Sequence, residues 1–97
     1  MIKHTVFFKL KHPSGSARES AFIELALGLS RIAEVRNLEC VRQVSKKADF
    51  AWGLLMEFAT QADYERYNNH PDHVKFVAGH WLPEVEAFIE LDYVARV

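Results

Sequence analysis

The sequence predicts an α+β fold of the ferredoxin-like, split βαββαβ type: a four-stranded antiparallel sheet with helices on one face. Three observations carry that prediction. Both ends of the chain alternate with period two, two segments open on a capping box, and two adjacent strand-like runs lie between them. With 97 residues and 49% apolar composition, the chain has room for one domain, taken as residues 1–97.

The first strand spans Ile2 to Lys11, where Ile2, His4, Val6, Phe8 and Leu10 alternate with Lys3, Thr5, Phe7, Lys9 and Lys11. His12-Pro13-Ser14-Gly15 is turn chemistry, and Ser16 followed by Glu19 has the capping-box spacing that opens a helix. Along it, Phe22, Leu25, Ala26, Leu29, Ile32 and Ala33 form one apolar stripe suited to covering a sheet, with Gly28 weakening it by about 1 kcal/mol. Leu38–Ser45 and Ala51–Phe58 read as a hairpin joined by the polar Lys46-Lys47-Ala48-Asp49. Thr60 and Asp63 form a second capping pattern, predicting a helix over Gln61–Asn69 that ends before Pro71. Proline suits the first position of a new helix, so a short one is expected over Asp72–Ala78, capped by Gly79, with Leu82-Pro83 as a turn. In the last strand, Val85, Ala87, Ile89, Leu91 and Tyr93 alternate with Glu86, Phe88, Glu90 and Asp92.

In this topology the first and last strands are antiparallel neighbours. A register pairing Phe7 with Phe88 sets Lys9 opposite Glu86 and Lys3 opposite Asp92, each charge pair contributing roughly 0.2–1 kcal/mol. The same face leaves Phe7, Leu55 and Phe88 uncovered by any helix, a patch suited to a second copy of the chain. A homodimer through the open sheet face is therefore expected.

Composition excludes several function classes. Twelve basic against thirteen acidic residues give a net charge of −1, which argues against a nucleic-acid surface or a polybasic membrane anchor. No apolar run approaches the roughly 20 residues of a membrane span or the pattern of a signal peptide. A lone cysteine, Cys40, forms no internal disulfide and suits a reducing, cytoplasmic location. No GxGxxG, P-loop or GxSxG motif supports dinucleotide, phosphate or α/β-hydrolase chemistry.

Candidate chemistry centres on five histidines: His4, His12, His70, His73 and His80. His73, Phe76, Val77 and His80 recur at helical spacing and turn in one direction. His4, on the apolar set of the first strand, is either a hydrogen-bonded core residue or a pocket residue. Convergence of His4 and His73 with Tyr67 or Tyr64 between sheet and helices would place a base near neutral pH beside a phenolic donor. That set suits proton abstraction next to a carbonyl and needs no cofactor. Tyr64 is read more readily as a packing residue. Metal binding by His70, His73 and His80 with Asp72 is a second reading, although the spacing is not that of a helical zinc motif; no metal ligand is assigned. Trp52 alternates with Leu54, Met56 and Phe58 toward the helices, and Cys40 is read as a structural thiol.

Several stretches resemble the stress-responsive A/B barrel (Dabb) family across essentially the whole chain. These are the opening Ile2-Lys3-His4-Thr5-Val6-Phe7-Phe8-Lys9-Leu10-Lys11, Leu55-Met56-Glu57-Phe58, Tyr67-Asn68-Asn69-His70-Pro71-Asp72-His73-Val74-Lys75-Phe76-Val77, and Leu91-Asp92-Tyr93. The resemblance implies a ferredoxin-like protomer whose sheet packs on that of a second protomer, forming a dimeric α/β barrel. One plant branch looks like polyketide cyclases with a histidine base, an orienting tyrosine and a first-strand histidine, types that fall here on His73, Tyr67 and His4. Phe8, Trp52, Met56, Phe76 and His80 are then expected to line the pocket. The resulting expectation is a cytoplasmic homodimer binding or modifying a small organic molecule. The alternative is a non-catalytic, stress-related or structural dimer, with metal-binding or monooxygenase roles ranked behind both.

Overall fold

The computed structural model describes residues 1–96. Its strands are β1 (Ile2–Leu10), β2 (Arg36–Arg42), β3 (Trp52–Phe58) and β4 (Val85–Tyr93), forming one antiparallel sheet in the order β2-β3-β1-β4. One helix, α1 (Ala17–Leu27), connects β1 to β2. Between β3 and β4 run α2 (Gln61–Asn69), α3 (Pro71–Phe76), a π turn over Val77–Trp81 and a last turn, α4 (Leu82–Glu84). The fold is the expected α+β, ferredoxin-like one. No helix among the described residues is long and apolar enough to cross a membrane.

Both predicted helix starts form as their side chains dictate. Ser16 Oγ accepts from Glu19 N at 3.2 Å, and Thr60 Oγ1 accepts from Asp63 N at 3.1 Å, each satisfying an otherwise free donor of a first helical turn. Glu19 reaches back one residue further than a capping box requires, accepting from Gly15 N, and its second oxygen accepts from Trp52 Nε1 at 3.1 Å. That double use explains a buried carboxylate in the first turn. The α-helix stops at Leu27, and Gly28–Arg31 continues as a 3₁₀ turn. Phe22, Ala26, Leu29 and Ile32 are buried, but Leu25 and Ala33 fall off the stripe.

Phe8, Phe22, Phe58 and Ile32 are the largest fully buried side chains, and the Phe8 ring sits 5.6 Å from Phe22 and 5.2 Å from Trp81. This aromatic centre joins β1, α1 and the π turn by dispersion and area burial. The helical path does not break at Gly79 or turn at Leu82-Pro83. Both lie within continuous helical backbone: the π turn takes up Gly79, and Pro83, the second residue of α4, has no N–H to give to the turn before it.

The pairing of β1 with β4 differs from expectation by one residue. Phe7 pairs with Ile89, Phe8 with Phe88, His4 with Asp92 and Lys3 with Tyr93. The cause is a bulge: Lys9 pairs with Ala87 but Leu10 with Val85, so Glu86 is the extra residue. Crossing it reverses the parity of β4. Val85 faces the helices with Leu10, and beyond the bulge Phe88, Glu90 and Asp92 face the helices too, while Ala87, Ile89, Leu91 and Tyr93 lie on the open face. Phe88 therefore does not belong to the open-face patch. That patch is Phe7, Leu55, Ile89 and Leu91. Lys9 Nζ still reaches Glu86 at 3.3 Å, and Asp49 at 2.8 Å.

On the open face, Phe7 lies across Gly53, its cross-strand partner: a Cβ built on Gly53 would sit 2.5 Å from Phe7 Cε1 and 2.7 Å from Cδ1. Gly53→Ala should tip the ring off the sheet. The expected cost is about 1–3 kcal/mol, the range for overpacking, because a ring tipped off the sheet also disturbs the apolar patch suited to a second copy; it reads as a fall of roughly 4 °C or more in Tm. An unchanged Tm would show that the ring does not need the glycine.

Candidate functional site

Between the sheet and the second helical segment lies a cavity of about 250 Å³. Its floor is His4 and Val6 of β1 with Leu54 and Met56 of β3; its walls are Tyr67 and Asn68 of α2, His73 and Phe76 of α3, and Trp81 beyond them; Phe88 and Glu90 of β4 complete the rim. Leu29, Val77 and Leu82 fill the remaining contour.

The break at Pro71 places His73. Ending α2 at Asn69 leaves its last carbonyls without helical donors. His70 N donates to Tyr67 O at 3.1 Å, while the His70 ring turns back and its Nδ1 accepts from Asp72 N at 3.1 Å, capping α3. That leaves the Asn68 carbonyl to accept from His73 Nδ1–H at 3.1 Å. The carbonyl accepts only, so the His73 proton resides on Nδ1 and Nε2 keeps its lone pair. Burial holds the His73 pKa below its ordinary 6.5, outweighing the Asn68 hydrogen bond, and the ring is a neutral base at pH 7.

Across the cavity, His4 belongs to a second arrangement. His4 Nδ1 is 2.5 Å from Asp92 Oδ1 and 2.8 Å from Tyr64 Oη, and the Tyr64 hydroxyl donates to Asp92 Oδ2 at 2.8 Å. The carboxylate accepts from both, which fixes the His4 tautomer and ring orientation and ties β1, β4 and α2 together. Tyr64 is held as the neutral phenol by burial and by its bond to Asp92. Tyr67 is also pushed up, first by burial and then by the Glu90 charge, so at neutral pH it is a hydrogen-bond donor. Its ring centroid is 4.3 Å from that of His73 and 6.4 Å from that of His4.

The fold thus brings His4, Tyr67, His73, Met56 and Phe76 to one cavity. Phe8, Trp52 and His80, expected in its lining, lie outside it. Phe8 is wholly packed in the aromatic core. Trp52 turns its Nε1 to Glu19 and carries the Arg42 guanidinium 4.8 Å over its ring. His80 Nδ1 pairs with Glu84 Oε2 at 2.8 Å on the far side of α3, and His12 Nε2 holds the other oxygen at 2.7 Å. Burial raises the Glu84 pKa, but the two imidazoles more than offset it and hold the carboxyl below its ordinary value.

Nor does the fold gather His70, His73 and His80 as a ligand set: each Nδ1 has a different partner. Among the described residues, His4, Glu90 and Asp92 do bring ligand atoms within 4.8 Å of one another, but Asp92 already accepts the His4 and Tyr64 protons. Sequence reasoning missed Asp92 and Glu90 as members of the site, and Tyr64, offered beside Tyr67 as the phenolic donor but read more readily as packing, joins His4 through its hydroxyl. The one available signal was His4 itself: a buried imidazole in an apolar alternation needs a polar partner, and the neighbouring strand supplies it.

Residues 2–95 match the family model of the Stress responsive A/B Barrel Domain (Dabb). A stress-response A/B barrel domain-containing protein of Arabidopsis thaliana is 26% identical over 97 residues; the match covers 98% of this chain and 37% of that longer protein. A Dabb family protein with a ferredoxin-like fold from Mesorhizobium loti is 52% identical, with a TM-score of 0.98 and coverage of 99% of this chain and 97% of that one. Two more distant solved structures share the fold. A dimeric ferredoxin-like protein of unknown function from Thermobifida fusca has a TM-score of 0.80, 16% identity and coverage of 97% and 90%. The hydroxynitrile lyase of Passiflora edulis has a TM-score of 0.84, 22% identity and coverage of 98% and 93%.

Proposed function

The chain belongs to the stress-responsive A/B barrel domain family, and from that premise we propose that it is a homodimer whose cavity binds a small organic molecule and moves a proton on it. The observation that carries this reading is His73: a neutral imidazole in an apolar cavity, its Nδ1–H committed to Asn68 and its Nε2 lone pair free. The reaction class it suits best is abstraction of a proton from carbon next to a carbonyl. The C–H bond breaks, the proton passes to His73 Nε2, and the electron pair moves to the carbonyl oxygen as an enolate. The Tyr67 hydroxyl, kept protonated by burial, is the donor for that oxygen. His4, clamped by Asp92 and Tyr64, holds the opposite wall in one orientation.

The Passiflora lyase and the plant cyclases that the sequence resembles make acid–base work on small molecules a consistent role for this cavity. Dimerisation through Phe7, Leu55, Ile89 and Leu91 accounts for an open face with exposed large apolar side chains, and the Thermobifida neighbour is a dimer. A reducing, cytoplasmic setting suits Cys40, a half-buried thiol that burial pushes up in pKa and away from reactivity.

The test is exchange of the α-protons of phenylacetone, a neutral single-ring ketone, in D₂O, followed by proton NMR. The protein should accelerate exchange well beyond free imidazole at the same concentration. Exchange no faster than that control, with the dimer intact, would favour a non-catalytic role in which the His4–Asp92–Tyr64 triangle is a structural clamp.

A further inference from the structure

Glu90 is the unexpected member of the cavity. The β4 bulge turns it from the open face to the helix side, where it pairs with Val6 and its carboxylate stands at the rim. No lysine or arginine lines the cavity, and among the described residues Glu90 has neither a hydrogen bond nor an ion pair, its carboxylate lying within 4.8 Å of a His4 nitrogen and an Asp92 oxygen. The other nearby carboxylate, Asp92, is already engaged by His4 and Tyr64. After burial, the Glu90 charge is the next cause that pushes Tyr67 up, and it contributes less at Tyr64 and His73. An apolar, aromatic-walled cavity with one unpaired negative charge at its mouth attracts a cation, repels an anion, and holds no lysine or arginine to neutralise an incoming carboxylate or phosphate.

We propose that Glu90 makes this cavity selective for small organic molecules that carry a protonated amine, and closes it to carboxylates and phosphates. The inference rests on the reading of the cavity as a ligand site and deepens it by naming the ligand class. Size narrows that class further. At about 250 Å³ the cavity is smaller than the roughly 300–1,000 Å³ of pockets for drug-sized ligands, so it fits one ring with a short amine-bearing arm. The ring packs among Phe76, Trp81 and Phe88, and the ammonium meets the Glu90 carboxylate.

Three probes of one shape separate the possibilities: benzylamine, cationic at pH 7; benzyl alcohol, neutral; and benzoate, anionic. Each is titrated into the intact protein at low ionic strength, following the Trp81 indole N–H by NMR. Benzylammonium should bind about tenfold or more tighter than benzyl alcohol, benzoate should not bind measurably, and added salt should shrink the difference. Glu90→Gln should bring the cation and the alcohol to within about threefold of each other. If benzyl alcohol binds but the cation has no advantage, or its advantage survives in Glu90→Gln, the role of Glu90 is wrong and the cavity stands. If none of the three binds, the cavity is not a ligand site and both readings fall.

Discussion

His73→Gln should slow α-proton exchange by about 10²- to 10⁴-fold, the range that a positioned general base supplies. Glutamine is close to histidine in size, and its carbonyl accepts a hydrogen bond but takes up no proton at neutral pH. A half-buried residue on a short exposed helix tolerates that change, so the circular dichroism spectrum and subunit number should be unaltered. The wild-type pH profile supplies an independent check. Burial lowers the His73 pKa, so the base form persists below pH 6.5, and the rate should fall as pH drops through a midpoint under that value. A midpoint above 6.5, or a glutamine variant as fast as wild type, would remove His73 from the reaction. His70→Gln is the contrast. His70 caps α3 from the exposed side of the corner, and its loss should lower stability by about 1 kcal/mol with little effect on rate per folded molecule.

How much of this was legible in the sequence depends on the range of the interaction involved. Helix starts at Ser16 and Thr60, the His70-Pro71 break and the inward set of β1 are all encoded by neighbours a few residues apart, and they form as read. Local chemistry also tells that His73 follows a proline-opened turn. The parity of β4 is different. It depends on a one-residue bulge where Glu86 has no partner, and nothing within β4 distinguishes a strand whose apolar set faces a core from one whose apolar set faces another molecule. Period alone therefore sets Asp92 and Glu90 among the surface charges and Phe88 at the interface, and gives His4 no partner. The lining errors have a related cause: period alone puts Phe8, Trp52 and Met56 on one face, but only the position of the π turn decides that Met56 borders space while Phe8 is sealed beneath Trp81. Likewise His80 shares a helical stripe with His73 until the π turn intervenes and delivers it to Glu84.

Leu91→Glu should convert the dimer to monomer at micromolar concentration. Leu91 lies on the open face opposite Thr5, whose hydroxyl donates to the Leu91 carbonyl at 2.8 Å, so its backbone is fixed and its side chain stands where a second sheet would pack. In a two-fold symmetric pair the substitution appears twice, and each unpaired carboxylate drawn into an apolar contact costs several kcal/mol. At about 3 kcal/mol for each copy, the dissociation constant should rise by roughly 10⁴-fold. The protomer itself should hardly respond, because Leu91 is 57% exposed without a partner. Sedimentation of wild type and variant over a concentration series reads the change directly. Two controls locate the surface. Val44→Glu alters an exposed apolar residue of the hairpin connection and should leave the dimer intact. Phe88→Glu tests the parity of β4: on the helix side, as the register has it, the new charge falls beside Trp81 at the cavity and the subunits should stay together, whereas dissociation would return Phe88 to the open face. A Leu91→Glu protein that remains dimeric would move the interface elsewhere and leave the apolar row of Phe7, Leu55, Ile89 and Leu91 unexplained.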